Sequence, residues 1–278
     1  MKVYKTGRGI FLESEGNIYA SAQQSWDSFI NQNDLYLSLS REIASSRILG
    51  TPNFLKELQI KAPIQNQEIW AAGVTYTRSR DARMEESKDS GGGSFYDMVY
   101  DAVRPELFFK SMPHRCVGPG EKVRIRKDST WNVPEPELTL VINNKGNIIG
   151  YTIGNDMSSR SIEGENPLYL PQAKSYDGSA AIGPCIYIPA APIPPETKIY
   201  MQILRNGIQM FSDEIAISKM KRGHAELVEF LFRECSFPNG CLLMTGTCLV
   251  PPNDFTLNSG DEIIIRIDHI GELKNYVA

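Results

Sequence analysis

Two glutamates and an aspartate outline the chemistry this chain could do. The stretch WNVPEPELTLVINNKGN, Trp131 to Asn147, sets Glu135 and Glu137 on either side of a proline and runs straight into an apolar strand. Strand side chains alternate faces, so the two carboxylates point the same way, roughly 7 Å apart along the backbone. Like charges that close to a low-dielectric core repel one another with little screening. Either both face water, or something positive sits between them.

The following residues bring a third carboxylate. A strand from Glu137 to Ile142 meets the turn Asn143-Asn144-Lys145-Gly146, and a second strand runs from Asn147 to Asn155 and ends at Asp156. If Ile142 pairs with Asn147, Glu135 lies opposite Gly154 and Asp156 falls two residues further on, on the same face. An odd loop would turn Asp156 to the other face. With the even loop, three carboxylates converge at the open end of one hairpin. Oxygen ligands with no Cys or His nearby suit a hard divalent cation: Mg²⁺ first, with Mn²⁺ and Ca²⁺ as the other candidates. Three solvated acids at a strand end is the competing reading, and the residues alone leave both open.

Other polar groups could join this site. Lys174 and Asp177, in the run KSYD, follow a proline-containing loop. A lysine beside a metal-bound anion can hold a substrate carboxylate or an enolate; a surface ion pair is the alternative. The run RPELFFK, Arg104 to Lys110, embeds Glu106 in an apolar strand. A half-buried glutamate can serve as general base or acid, or close a structural salt bridge. The three histidines, His114, His224 and His269, are scattered without ligand spacing or a Ser or Cys partner. That disfavours a Ser-His-Asp enzyme and a zinc hydrolase.

The elements that must position these groups are mostly strands. EIWAAGVTY, KVRIR, ELTLVIN, NIIGYTIG, KIYMQILRNG and EIIIRIDHIG are short, rich in β-branched residues and bounded by turn residues. His224 to Cys235 is the clearest helical pattern among them. The fold class expected is therefore α+β and β-dominated, with helices decorating a sheet or barrel-like core. Residues 1–65 read as a small N-terminal α+β domain, with a hairpin around Gly7 to Tyr19 and a helix near Asp34 to Ser46. Pro63 and the polar residues after it mark the boundary to a catalytic domain over 66–278. The stretch Glu85 to Asp97 is charged, then triple glycine, then aromatic. It reads either as a solvated linker or as a lid hinged on Gly91 to Gly93.

At 278 residues the chain can bury one large core, with or without a small attached domain. A net charge of −4 and the lack of a Lys/Arg run argue against nucleic acid as a partner. No window reaches the roughly 18 apolar residues that span a bilayer, and the N-terminus has no signal-peptide core, so no membrane partner is expected. The five cysteines are odd in number and form no C-x-x-C pair. They read as reduced thiols, which points to the cytoplasm.

Taken in order, these motifs resemble the fumarylacetoacetate hydrolase family. The likeness runs from about Ile69 to the C-terminus. It includes WAAGVTY, PELFFK, the Glu135-x-Glu137 pair, GYTIGNDMSSR ending at Arg160, KSYD, IGPC, RNG at Arg205, MTGT at Thr247, and LNSGDEIIIRIDHIGELKN. The resemblance implies a mixed β-roll, a homodimer or homotetramer, and Mg²⁺ or a similar ion bound by Glu135, Glu137 and Asp156, with Lys174 next to the metal.

The family's carbon–carbon hydrolases carry a histidine in an N-Y-x-x-H pattern. The matching run here, TYTRS, holds Ser79 at that position, which argues against such a hydrolase. The wording SRSIEGENPLYLPQAKSYDGS and GTCLVPPNDFTL is similar to a branch that removes water from 2-keto-3-deoxy sugar acids. The activity implied is Mg²⁺-dependent conversion of 2-keto-3-deoxy-D-arabinonate to 2,5-dioxopentanoate through a metal-stabilised enolate. In that reading Glu106 takes the C3 proton, Lys174 holds the enolate or carboxylate, and Asp177 orients Lys174. Thr247 bonds the substrate tail, and Arg78, Arg80 and Glu85 close over the sugar hydroxyls. The alternatives are acylpyruvate-type C–C hydrolysis, decarboxylation or enol–keto isomerisation on the same fold, and a silent protein that merely binds a keto acid.

Overall fold

The computed structural model describes residues 1–78, 84 and 93–278. Its largest element is a mixed ten-stranded sheet. Nine strands run across it in the order Asn17–Ala20, Gly9–Ser14, Lys2–Thr6, Ala180–Tyr187, Ile148–Asp156, Pro136–Ile142, Cys241–Met244, Glu68–Gly73 and Glu106–Ser111. The short strand Cys116–Val117 pairs with Ala180–Tyr187 beside this path. A second sheet of five strands orders Ile208–Ala216, Lys198–Arg205, Glu262–Ile267, Gly271–Val277 and Lys122–Val123.

The two sheets share one apolar cluster. Leu138, Leu140 and Ile153 of the first sheet belong to it together with Ile199, Met201, Ile263 and Ile265 of the second. On the opposite face of the large sheet Val141, Ile186 and Ile188 meet Trp26, Phe29, Ile30, Leu35 and Leu39 from the N-terminal helices. Strand Pro136–Ile142 is therefore buried on both faces. That explains its nearly continuous apolar sequence where a half-exposed strand would alternate. The architecture is the β-dominated α+β class expected from the strand-rich sequence.

The first 65 residues supply the antiparallel strands Lys2–Thr6, Gly9–Ser14 and Asn17–Ala20, and the helix Leu35–Ser45. Lys2 pairs with Tyr187, so these strands continue the large sheet. The helix expected over His224 to Cys235 forms over His224–Phe232. Of the expected strand KVRIR only Lys122–Val123 is extended in a ladder. No described helix is long and apolar enough to cross a membrane.

Candidate metal centre

The three acids meet at the ends of the two central strands. Glu135 immediately precedes Pro136–Ile142, Glu137 is the second residue of that strand, and Asp156 is the last of Ile148–Asp156. The hairpin between them closes differently from the even loop expected. Ile142 pairs with Ile148, not Asn147, and this odd loop alone would send Asp156 to the other face. The register then slips again between Ile148 and Gly150, leaving Ile149 as the extra residue of a β-bulge. Two offsets of one residue cancel in parity. Glu137 comes opposite Gly154, and the Asp156 amide donates to the Glu135 carbonyl oxygen at 2.9 Å. The Asn143 side-chain oxygen fixes the loop by accepting from the amides of Lys145 and Asn147, both at 3.0 Å.

The result is a buried triad. Glu135, Glu137 and Asp156 are 3%, 2% and 1% exposed, and each offers an oxygen within 4.8 Å of the others. Positive groups surround it. The Lys174 ammonium, at the end of the short helix Leu170–Lys174, donates to Glu135 Oε2 at 2.6 Å, Ser158 Oγ at 2.6 Å and Asp156 Oδ2 at 3.2 Å. The Lys110 ammonium forms an ion pair with Asp156 Oδ1 at 2.6 Å. The Arg160 guanidinium donates to Glu135 Oε1, and its Nη1 lies 3.9 Å from Glu163 Oε2. Ion pairs this deep recover the cost of desolvation only when geometry and hydrogen bonding are good.

Glu137 is the exception in this network. Its Oε2 accepts from the Gly246 amide at 2.6 Å, while neither lysine nor Arg160 donates to it among the described residues. Burial, then the neighbouring charges of Asp156 and Glu135, hold its carboxyl well above the usual carboxylate range. A cation at the triad would relieve all three causes. The donor set fits a hard divalent ion, because it is all oxygen and already gathered.

The triad lies in a narrow pocket lined also by Ala72, Gly73, Val74, Phe108, Arg160, Lys174, Gly246 and Thr247. Glu106 starts the strand beside it and pairs in register with Gly73. A Cβ at position 73 would come 2.0 Å from Glu106 Oε2, so glycine is what lets that carboxylate lie against the pocket wall. Gly246, at φ +96°, serves a similar end: a Cβ there would sit 2.0 Å from Thr75 Oγ1. Its left-handed backbone aims the amide at Glu137. Thr247 is buried in the wall, and its Oγ1 has no partner among the described residues.

Two expectations are corrected. Asp177 does not orient Lys174. Its side chain is 70% exposed and faces Arg115 at 3.5 Å and Arg124 at 3.7 Å, while Glu135, Asp156 and Ser158 hold the lysine. The chain leaves the helix after Lys174, which carries Asp177 to the surface. Arg78 does not line the pocket either; it donates to Asp213 and to the Val250 carbonyl, each at 3.1 Å. Arg80, Glu85, Ser79 and the Gly91-Gly92 part of the expected hinge lie outside the described residues.

The sequence motifs assign no role to Lys110, Arg160, Ser158, Gly73 or Gly246. Lys110 shares a strand with Glu106, but the register shift between Ile69 and Trp70 leaves it as the extra residue of a bulge, so alternation along the strand does not place it. The other four draw their significance from contacts between distant segments.

Comparison with known proteins accords with this geometry. The family described as fumarylacetoacetate (FAA) hydrolase C-terminal matches residues 69–278. A probable 2-keto-3-deoxyxylonate dehydratase of Haloferax volcanii is 50% identical over 217 residues, covering 78% of this chain and 74% of that protein. The 2-dehydro-3-deoxy-D-arabinonate dehydratase of Saccharolobus solfataricus is 41% identical over 246 residues, 85% of this chain and 82% of that protein. Among solved structures, 2-keto-3-deoxy-D-arabinonate dehydratase complexed with magnesium and 2,5-dioxopentanoate aligns over 100% of this chain and 98% of its own. The TM-score is 0.82 and the identity 33%. With the family's pattern matched from the strand bearing Gly73 to the C-terminus, the chain belongs to the fumarylacetoacetate hydrolase family.

Proposed function

We propose that the protein dehydrates a 2-keto-3-deoxy sugar acid, taking 2-keto-3-deoxy-D-arabinonate to 2,5-dioxopentanoate and water at a divalent-cation centre. The observation that carries this reading is one pocket that joins a buried oxygen triad, the Lys174 ammonium and the Gly73 wall on which Glu106 rests. The two dehydratase relatives, and the solved dehydratase with magnesium and 2,5-dioxopentanoate, support it.

Glu135, Glu137 and Asp156 would hold the ion, Mg²⁺ first and Mn²⁺ or Ca²⁺ as substitutes. When bound, it supplies Lewis acidity to the 2-oxo acid head of the substrate. Glu106 accepts the proton that leaves C3 and passes a proton to the C4 hydroxyl, which departs as water. A C3–C4 double bond remains. A proton then moves from C5 to C3, and the resulting enol passes its O–H proton to C4, leaving the C5 aldehyde. Lys174 stands beside the anionic head, its donors engaged by Glu135, Asp156 and Ser158. A Schiff base would first have to strip the lysine of these partners. Thr247 offers its buried hydroxyl to the substrate tail.

A proton NMR time course in D₂O, with Mg²⁺ and then with EDTA, tests the proposal. Metal-dependent growth of an aldehyde signal from 2-keto-3-deoxy-D-arabinonate is the expected result. Exchange of the C3 protons without aldehyde would replace dehydration by an isomerase, decarboxylase or hydrolase reaction on the same fold. No exchange at all would leave a binding protein.

The proposal extends to a cytoplasmic homodimer or homotetramer in which residues 1–65 act as a small domain beside the catalytic 66–278. The five free cysteines support the reducing location. Light scattering and limited proteolysis check the assembly and the boundary.

A further inference from the structure

Lys110 is fully buried, and its ammonium meets three partners within the protein. It donates to the Met157 carbonyl at 3.0 Å and to the Lys174 carbonyl, and it forms an ion pair with Asp156 Oδ1 at 2.6 Å. It therefore ties together the two chain segments that carry a triad ligand and the pocket lysine. Its own backbone is fixed in turn, because Ser175 Oγ donates to the Lys110 carbonyl at 2.9 Å. A group so enclosed does not line the pocket and acts on the chain itself.

Its effect falls on Asp156. With Oδ1 held by an ammonium at 2.6 Å, the oxygen nearer the pocket lysine is Oδ2, 3.2 Å from Lys174 Nζ. A carboxylate so divided offers a cation one oxygen. This matters for the choice of ion. Ca²⁺ accepts high coordination numbers and bidentate carboxylates, whereas Mg²⁺ holds to near-ideal octahedral geometry with single oxygens. We infer that Lys110 is a positioning residue that keeps Asp156 monodentate and thereby biases the centre towards a small octahedral cation over Ca²⁺. The inference rests on the proposed cation centre.

The test is calorimetric titration of the metal-free wild type and Lys110→Met with Mg²⁺, Mn²⁺ and Ca²⁺. Removing the ammonium relieves repulsion on every divalent ion alike, so absolute affinities move together. The ratio isolates the number of oxygens that Asp156 offers. It should shift towards Ca²⁺ by about tenfold, the low end of what groups behind a metal ligand contribute. An unchanged ratio in a variant with wild-type circular dichroism overturns the inference. Should Lys110→Met fail to fold, wild-type crystals soaked in Ca²⁺ decide it. Asp156 ligating through one oxygen, with Lys110 still on Oδ1, supports the inference, and bidentate Asp156 with Lys110 displaced overturns it. A wild type that binds no divalent ion sinks the cation centre itself, which is a separate outcome.

Discussion

Glu135 and Asp156 face each other across the central hairpin, the amide of Asp156 donating to the carbonyl of Glu135 at 2.9 Å. Their carboxylates share one cation from the chain. Lys174 Nζ lies 2.6 Å from Glu135 Oε2 and 3.2 Å from Asp156 Oδ2. Two buried acids on one face are tolerable because this ammonium, with Arg160 and Lys110, offsets them. The chain has thus built much of the positive charge that an acid pair at the mouth of a core requires, and Glu137 is the carboxylate to which it contributes least.

Lys174→Met should therefore cost stability as well as turnover. Taking away the shared ammonium leaves two buried carboxylates underpaired, a loss of about 3–5 kcal/mol in the metal-free protein. Saturating Mg²⁺ should restore part of that, since an ion that binds only the folded state stabilises it. Thermal unfolding in EDTA and in Mg²⁺ measures both. An unaltered midpoint in EDTA would show that the lysine is not what holds these acids together.

Gly73→Ala should act through Glu106. The new methyl would lie 2.0 Å from Glu106 Oε2, so the carboxylate must swing away. Displacement of a proton acceptor by about 1 Å can cost about 10²-fold in rate. Glu106→Gln, which removes the acceptor, should cost about 10²–10⁴-fold. Neither change touches the triad, so calorimetric Mg²⁺ affinity should stay at the wild-type value in both. A Gly73→Ala enzyme with full kcat would mean that Glu106 does not work from where it rests.

Asp177→Asn should do very little. The side chain is 70% exposed, with Arg115 and Arg124 at 3.5 and 3.7 Å, and exposed pairs of that kind contribute little. The change in stability should stay within about 0.5 kcal/mol, with kcat and KM unaltered. A large loss of kcat at this position would restore Asp177 to the active machinery and contradict its placement.

How much of this was legible in the sequence depends on the range of each contact. The triad could be read because the alternation of strand side chains is local and the hairpin loop is short. Even so, the expected register was two residues off; the correct face survived because the bulge at Ile149 compensated for the odd loop. A bulge has no clear mark in a β-rich run such as NIIGYTIG. Lys110, Arg160 and Gly246 escaped notice because their partners lie far away in sequence, and only the sheet order brings them together. Asp177 misled for the opposite reason. Nearness to Lys174 along the chain suggested contact, and the end of the helix at Lys174 separates them.

The sharpest prediction concerns pH and Glu137. Its carboxyl is raised above the ordinary value of 4.5 by burial first, then by Asp156 and Glu135, with the Gly246 amide and Lys174 opposing. An acid whose folded pKa is raised holds its proton more tightly in the native state. Its contribution to stability is complete below the ordinary value and is lost as pH climbs from there through the raised one. In EDTA the thermal midpoint should therefore carry a component that falls as pH rises above about 4.5. A cation needs the deprotonated ligand, so Mg²⁺ competes with that proton and binds more weakly in acid. The gain in midpoint on adding Mg²⁺ should grow with rising pH and shrink as pH falls. Glu137→Gln separates this group from the others, since the amide cannot titrate. In that variant the falling component in EDTA should vanish, and the Mg²⁺-induced gain should be small at every pH. If Glu137→Gln kept the wild-type profile in both buffers, the proton and the ion would have to compete at a different carboxylate.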